Sequence, residues 1–114
     1  MKEDSTSNEI RKGLLVLAVL QVIGRRRAYT AEILSALNAS EFATQEGTLY
    51  PLLSRLKREG LIDHEWVESA SGPPRKYYRL SESGDRRAKE LMDYMNKLQS
   101  QLNNLRGIRK GAKS

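Results

Sequence analysis

The residues of this chain that are able to do chemistry are mostly hydrogen-bond donors. Between Thr44 and Ile62 the sequence reads TQEGTLYPLLSRLKREGLI. Leu49, Leu52, Leu53 and Leu56 recur at spacings of three, one and three, which on a helix makes one apolar stripe. The opposite side carries Thr48, Pro51, Ser54, Arg55 and Arg58, with Tyr50 and Lys57 on one flank. Hydroxyls, a phenol and guanidinium groups at this spacing reach phosphate oxygens and base-edge acceptors in a DNA major groove. Taken alone, the stretch fits a solvated amphipathic surface helix better. The rest of the chain reverses that preference. A second donor pair, Arg75 and Lys76, follows Gly72-Pro73-Pro74.

Other chemistries find little support. There is no cysteine, so disulfides, thiolate metal sites and thiol catalysis are excluded, as suits a reducing compartment. The single histidine, His64, sits among charged neighbours without partners at metal-ligand spacing and reads as a surface residue. No nucleophile–base pair and no phosphate-cradling glycine loop is present, so neither an enzyme nor a cofactor is expected. Twenty basic and 14 acidic residues give a net charge of +6. That balance favours an acidic partner such as nucleic acid or anionic lipid. At 114 residues, with 39% hydrophobic and 30% charged, the chain is long enough for one domain with a modest core. The apolar run Gly13–Ile23 is too short to span a bilayer. Glu3, Asp4 and Glu9 before it, and Arg25–Arg27 after it, do not suit a signal peptide. It reads as a buried helix of a cytoplasmic protein without a membrane partner.

The elements that must position the donors follow from spacing and punctuation. Met1 to about Asn8 is polar and expected to fray. A first helix runs from about Glu9 to Ile23, apolar on nearly every side, and Gly24 ends it. Burial on more than one face asks for a second covering surface, for which a dimer partner is the obvious candidate. Arg25–Arg27 suits a solvated loop slightly better than a phosphate contact. Thr30 caps a second helix, about Ala31–Leu37, with Ile33, Leu34 and Leu37 inward. The third helix starts somewhere between Thr44 and Thr48, or bends at Pro51, and Gly60 closes it in a left-handed conformation.

Leu61–Glu68 then alternates, with Ile62, His64 and Trp66 on one face. Arg75–Leu80 forms a second strand after the loop 69–74, making a hairpin with a basic tip. Two helices at helix-turn-helix spacing followed by such a hairpin make a winged helix. Ser81 caps a last helix, about Glu82–Arg106, on which Ala88, Leu91, Met95, Leu98, Leu102 and Leu105 form an a/d heptad seam. At roughly 37 Å by its rise per residue, this helix exceeds what so small a domain covers. The basic tail after it is expected to be flexible.

Two stretches resemble a known family. Glu46-Gly47-Thr48-Leu49-Tyr50-Pro51-Leu52-Leu53, then Arg55-Leu56 and Glu59-Gly60-Leu61-Ile62, is similar to the signature of the PadR-like winged-helix transcriptional regulators. Gly72-Pro73-Pro74-Arg75-Lys76-Tyr77-Tyr78-Arg79-Leu80, followed by Ser81 and Gly84, resembles that family's second motif. Tyr29 and Glu32-Ile33 match more loosely, with Thr30 where the family often has glycine. The resemblance covers about Lys12–Gly84, and the short C-terminal part is similar to the subfamily with one dimerisation helix.

It implies a homodimeric repressor on a palindromic operator. The implied DNA contacts are Tyr50, Pro51, Ser54 and Arg55 on the third helix, Arg75 and Lys76 in the wing, and Tyr29 and Thr30 against phosphate. It also admits a small aromatic effector at the dimer interface. One subgroup stacks such a ligand on a last-helix tryptophan, whereas the only tryptophan here is Trp66, in the wing.

Together these readings predict a mainly α fold with a small β-hairpin: a winged helix-turn-helix over 9–80, a dimerisation helix over 81–107 and a flexible tail over 108–114. Thr48 and Arg58 join the DNA-contacting residues by their outward positions. Leu14, Leu17, Leu91, Met95, Leu98, Leu102 and Leu105 are the expected dimer interface. The competing function is a winged-helix protein-interaction module without DNA binding. That module would show apolar residues where Thr48, Ser54, Arg55 and Arg58 stand.

Overall fold

The computed structural model describes residues 5–107. Four helices span Ser5–Arg25 (α1), Thr30–Asn38 (α2), Glu46–Arg58 (α3) and Glu82–Arg106 (α4). Three strands span Ala28–Tyr29 (β1), Ile62–Ser69 (β2) and Gly72–Leu80 (β3), paired antiparallel in the order β1-β3-β2. The tail expected over 108–114 lies outside the described residues, as do Met1–Asp4.

α1 is longer than the expected Glu9–Ile23 at both ends. It takes in Ser5–Asn8, the described part of the stretch expected to fray, because a nucleated helix gains a backbone bond for each residue added. Arg11 also donates to the Asn8 side chain in that turn. Gly24 does not end the helix. A β-carbon there would stand 3.2 Å from Leu80 Cδ1, so the glycine serves the approach of β3 to α1.

Thr30 is the first residue of α2 and not its cap. Tyr29 takes that role with extended backbone, and its N–H donates to Glu32 Oε1 at 3.2 Å. Pairing of Tyr29 with Tyr77 in β1 brings the chain into the helix one residue early.

α3 is capped by Gln45, between the two expected starts. Thr44 is not a cap; its backbone N–H donates to Asn38 Oδ1 at 3.1 Å. Pro51 therefore lies in the second turn, inside the helix. An interior proline costs about 3 kcal/mol. Burial of Leu49, Leu53 and Leu56 contributes about 1.5–3 kcal/mol each, which more than offsets it. The helix closes as expected on Gly60, at φ 76°. Leu61 N–H donates to Leu56 O and Gly60 N–H to Lys57 O, both at 3.0 Å, which is the Schellman arrangement.

The hairpin differs from the expected long loop. Its turn is only Ala70 and Ser71, and β3 begins at Gly72. Between Val67↔Arg75 and Ser69↔Gly72 the register shifts, so Pro73 and Pro74 together oppose Glu68 in a bulge. Prolines fit there because β1 pairs only with Tyr77 and Tyr78, leaving this end of β3 without a second neighbour.

The core joins Val19, Leu20 and Ile23 of α1, Ile33 and Leu37 of α2, and the three α3 leucines to Leu61, Ile62, Tyr78 and Ala88. α4 is bolted to the end of α3. Ser81 caps α4 by accepting from Gly84 N–H at 3.0 Å, and its hydroxyl donates to Gly60 O at 2.6 Å. The result is a winged helix-turn-helix with a long last helix, mainly helical as expected, with β1 as a third strand that no sequence signal announced.

Candidate nucleic-acid interface

The leucine stripe decides which side of α3 is free. Thr48, Tyr50, Pro51, Ser54, Arg55, Lys57 and Arg58 are all exposed. Arg55 Nε stands 3.5 Å from Glu59 Oε2, one helical turn on. Thr48 borders a shallow hollow that Arg11 and Lys12 of α1 also line. Helical spacing sets Tyr50 and Lys57 on the flank toward the wing, and their neighbours agree. Lys57 acts electrostatically on His64, and Tyr50 on Tyr78.

The two wing cations do not share a face. Lys76 turns toward the α3 side, with Nζ 5.3 Å from the Trp66 ring centroid and 5.9 Å from that of Tyr78. Trp66 is 63% exposed on that face of the sheet, a large apolar group. Arg75 turns the other way, and its guanidinium lies 4.5 Å over the Tyr29 ring. Strand alternation requires this split, because neighbouring residues point to opposite faces. Tyr29 is half-buried, with its ring packed edge-on to Tyr77 at 5.2 Å, and Thr30 is half-buried beside it.

Two residues of this region depart from their sequence readings, Arg27 from that of a solvated loop residue and His64 from that of a surface residue. Arg27, expected in a solvated loop, pairs instead with Glu65, which also accepts from Arg79 at 2.5 Å. His64 is half-buried, and its Nδ1 is buried without a partner among the described residues. Burial first, then the charges of Lys57 and Lys76, push its pKa below the usual histidine value, with Asp63 opposing them. The alternation of β2 does put His64 and Trp66 on one face. No local signal tells that this face turns toward α3.

A second feature lies on α1 and α4. An open groove of ≈ 490 Å³ is bordered mostly by apolar side chains, among them Leu14, Leu17, Val22, Met92 and Met95. Leu17 is already buried within its own chain, and Leu14, Leu91 and Met95 are half-buried. Farther along the seam the cover runs out: Leu98 is 40% exposed, Leu102 65% and Leu105 83%. Among the described residues no cluster of His, Asp or Glu is placed to hold a metal ion. No helix there is long and apolar enough to cross a membrane.

A model of the "Transcriptional regulator PadR-like family" matches residues 19–90. An uncharacterized protein of Lysinibacillus sphaericus is 30% identical over 88 residues, which span 75% of this chain and 81% of that one. A PadR family transcriptional regulator of Eggerthella lenta superposes with a TM-score of 0.82 at 33% identity, covering 92% of each chain. A PadR-like transcription factor of Bacteroides fragilis gives a TM-score of 0.76 at 38% identity, covering 90% of this chain and 99% of that one.

Proposed function

This chain belongs to the PadR-like family of transcriptional regulators, and from that premise we propose that it acts as a homodimeric repressor on a palindromic operator. The family's work is DNA-binding transcription regulation and not enzymatic turnover. In this reading α3 enters the major groove with Tyr50, Pro51, Ser54, Arg55 and Arg58, flanked by Thr48. Arg75 and Lys76 approach the backbone or minor groove from the two faces of the wing, and Tyr29 and Thr30 meet phosphate. The observation that carries the reading is the exposed face of α3. It offers hydroxyl and guanidinium donors where a protein-binding helix would offer apolar anchors.

The dimer reading rests on the uncovered end of the α4 seam. Leu98, Leu102 and Leu105 continue the heptad past the domain's own cover. A second copy would bury them together with Leu14 and Leu91, and Met95 would lie at the same contact. The neighbouring groove, bordered by Leu17 and Met92, has the size and apolar character of a small-molecule site. It suits a flat aromatic effector that loosens the dimer. With Trp66 in the wing, α4 has no tryptophan with which to stack one.

Duplex binding measured against salt tests the reading. Affinity for mixed-sequence DNA should fall steeply as salt rises, with a slope set by the number of phosphates neutralised. Selection of bound genomic fragments should then return an inverted repeat. Binding that ignores salt, or selected fragments without two-fold symmetry, would overturn the proposal.

A further inference from the structure

The sheet face that looks away from α3 carries four side chains in a row. The Arg27 guanidinium lies 4.9 Å over the Tyr77 ring. Tyr77 meets Tyr29 edge-on, with ring centroids 5.2 Å apart and planes at 70°. Arg75 closes the row, 4.5 Å over Tyr29. The row crosses two strands, because Tyr29 and Tyr77 are register partners between β1 and β3. It also reaches a helix terminus, since Tyr29 caps α2.

The charges along this row are not equivalent. Glu65 accepts from both Arg27 and Arg79, so one carboxylate serves two guanidinium groups. Arg75 has a ring beneath it and no carboxylate partner among the described residues. Stacking uses the flat face of a guanidinium, while its N–H donors lie in the plane and stay free for an acceptor. An arginine near the tip of a bare hairpin would otherwise sample many rotamers and lose that freedom on binding.

We infer that the ladder Arg27–Tyr77–Tyr29–Arg75 holds Arg75 ready for a DNA phosphate, and that Tyr77 is a positioning residue acting through it. Glu65 fixes the far end of the ladder. The near end presents a single oriented cation at a set distance from the start of α2. This inference rests on the DNA-binding reading above.

The test is a double-mutant cycle on the full chain, with a long mixed-sequence duplex at low salt as the probe. Tyr77→Leu should weaken binding about twofold to fivefold, the range of an exposed cation–ring contact. Tyr77→Phe, which keeps the ring, should restore it. In an Arg75→Ala background Tyr77→Leu should change affinity by less than about twofold, the ordinary error of additivity. An equal loss in both backgrounds makes Tyr77 merely structural and overturns the proposal, as does no loss in either. A wild-type chain that binds no duplex is a separate failure, of the DNA reading itself.

Should Tyr77→Leu not fold, Tyr77→Val offers a residue better suited to a strand. The motion of the Arg75 Nε–Hε group in the unmutated protein then gives a measurement free of any variant. Restriction relative to exposed Arg26 supports the ladder, and motion as free as that of Arg26 overturns it.

Discussion

Arg55 and His64 call for different tests. Arg55 is held by an exposed ion pair to Glu59 at 3.5 Å, a contact worth only a few tenths of a kcal/mol. DNA acceptors can therefore displace Glu59 at little cost. Arg55→Ala is expected to lower operator affinity by roughly 1–3 kcal/mol and to relax sequence preference. Equal losses on operator and random duplex would mean that Arg55 reads phosphate and not a base. His64 is a matter of stability. Its pKa in the fold is lowered by burial and by Lys57 and Lys76. The unfolded chain, with the ordinary value near 6.5, therefore takes up a proton at a pH where the folded chain does not. The contribution of neutral His64 is present above about pH 6.5 and is lost as the pH falls below it. Thermal melting of DNA-free protein from neutral pH to about pH 5 should show this loss, and His64→Gln should remove that share of it. A pH dependence identical in the variant would dismiss the histidine.

At the scale of elements, the turn that follows α3 is joined closely to the start of α4. Gly60 O accepts from the Ser81 and Ser83 hydroxyls, and Leu61 O accepts from Ser81 N–H at 3.0 Å. Gly84 lets α4 come so close: a β-carbon there would fall 1.9 Å from Leu61 O and 2.9 Å from Leu61 C. Those atoms are backbone and cannot swing aside. Gly84→Ala should destabilise the protein by about 3 kcal/mol or more, at the upper end of overpacking effects. Gly13→Ala supplies the contrast, because nothing lies within 4 Å of its β-carbon position in α1. That variant should gain about 0.5–1 kcal/mol from helix propensity alone. Denaturant melts of the two proteins check both values. Comparable effects would show that α4 can move off Leu61 without cost.

For the whole molecule, the question is what covers α4. The molecule measures 61 × 36 × 23 Å, and the outer end of the seam is bare in a single chain. Under the dimer proposal a two-fold axis pairs the α4 helices and sets the α3 copies about one DNA turn apart, roughly 34 Å. Leu98→Asp with Leu102→Asp places like charges in the seam. The double variant should sediment as a monomer, and its binding to a full palindrome should drop toward that of a half-site. A variant that still sediments as a dimer and binds normally would remove α4 from the interface.

Much of this molecule was legible in its residues because its faces are set by local periods. A spacing of three and four put Leu49, Leu53 and Leu56 inward and left Ser54, Arg55 and Arg58 outside. Gly60 and Ser81 act where their chemistry suits a helix end. The PadR-like motifs at Glu46–Leu53 and Gly72–Leu80 pointed to the family that the comparisons then established. The features that only tertiary structure decided depend on which strand lies beside which. β1 is two residues long and owes its existence to pairing with β3. Arg27 looked like a loop residue until β2 brought Glu65 to it. Arg75 and Lys76 read as one basic pair, yet the pleat sends them to opposite faces, one onto Tyr29 and the other onto Trp66. Spacing along the chain carries the period of an element. The partner across a sheet is set by register, which is settled only when the whole domain packs.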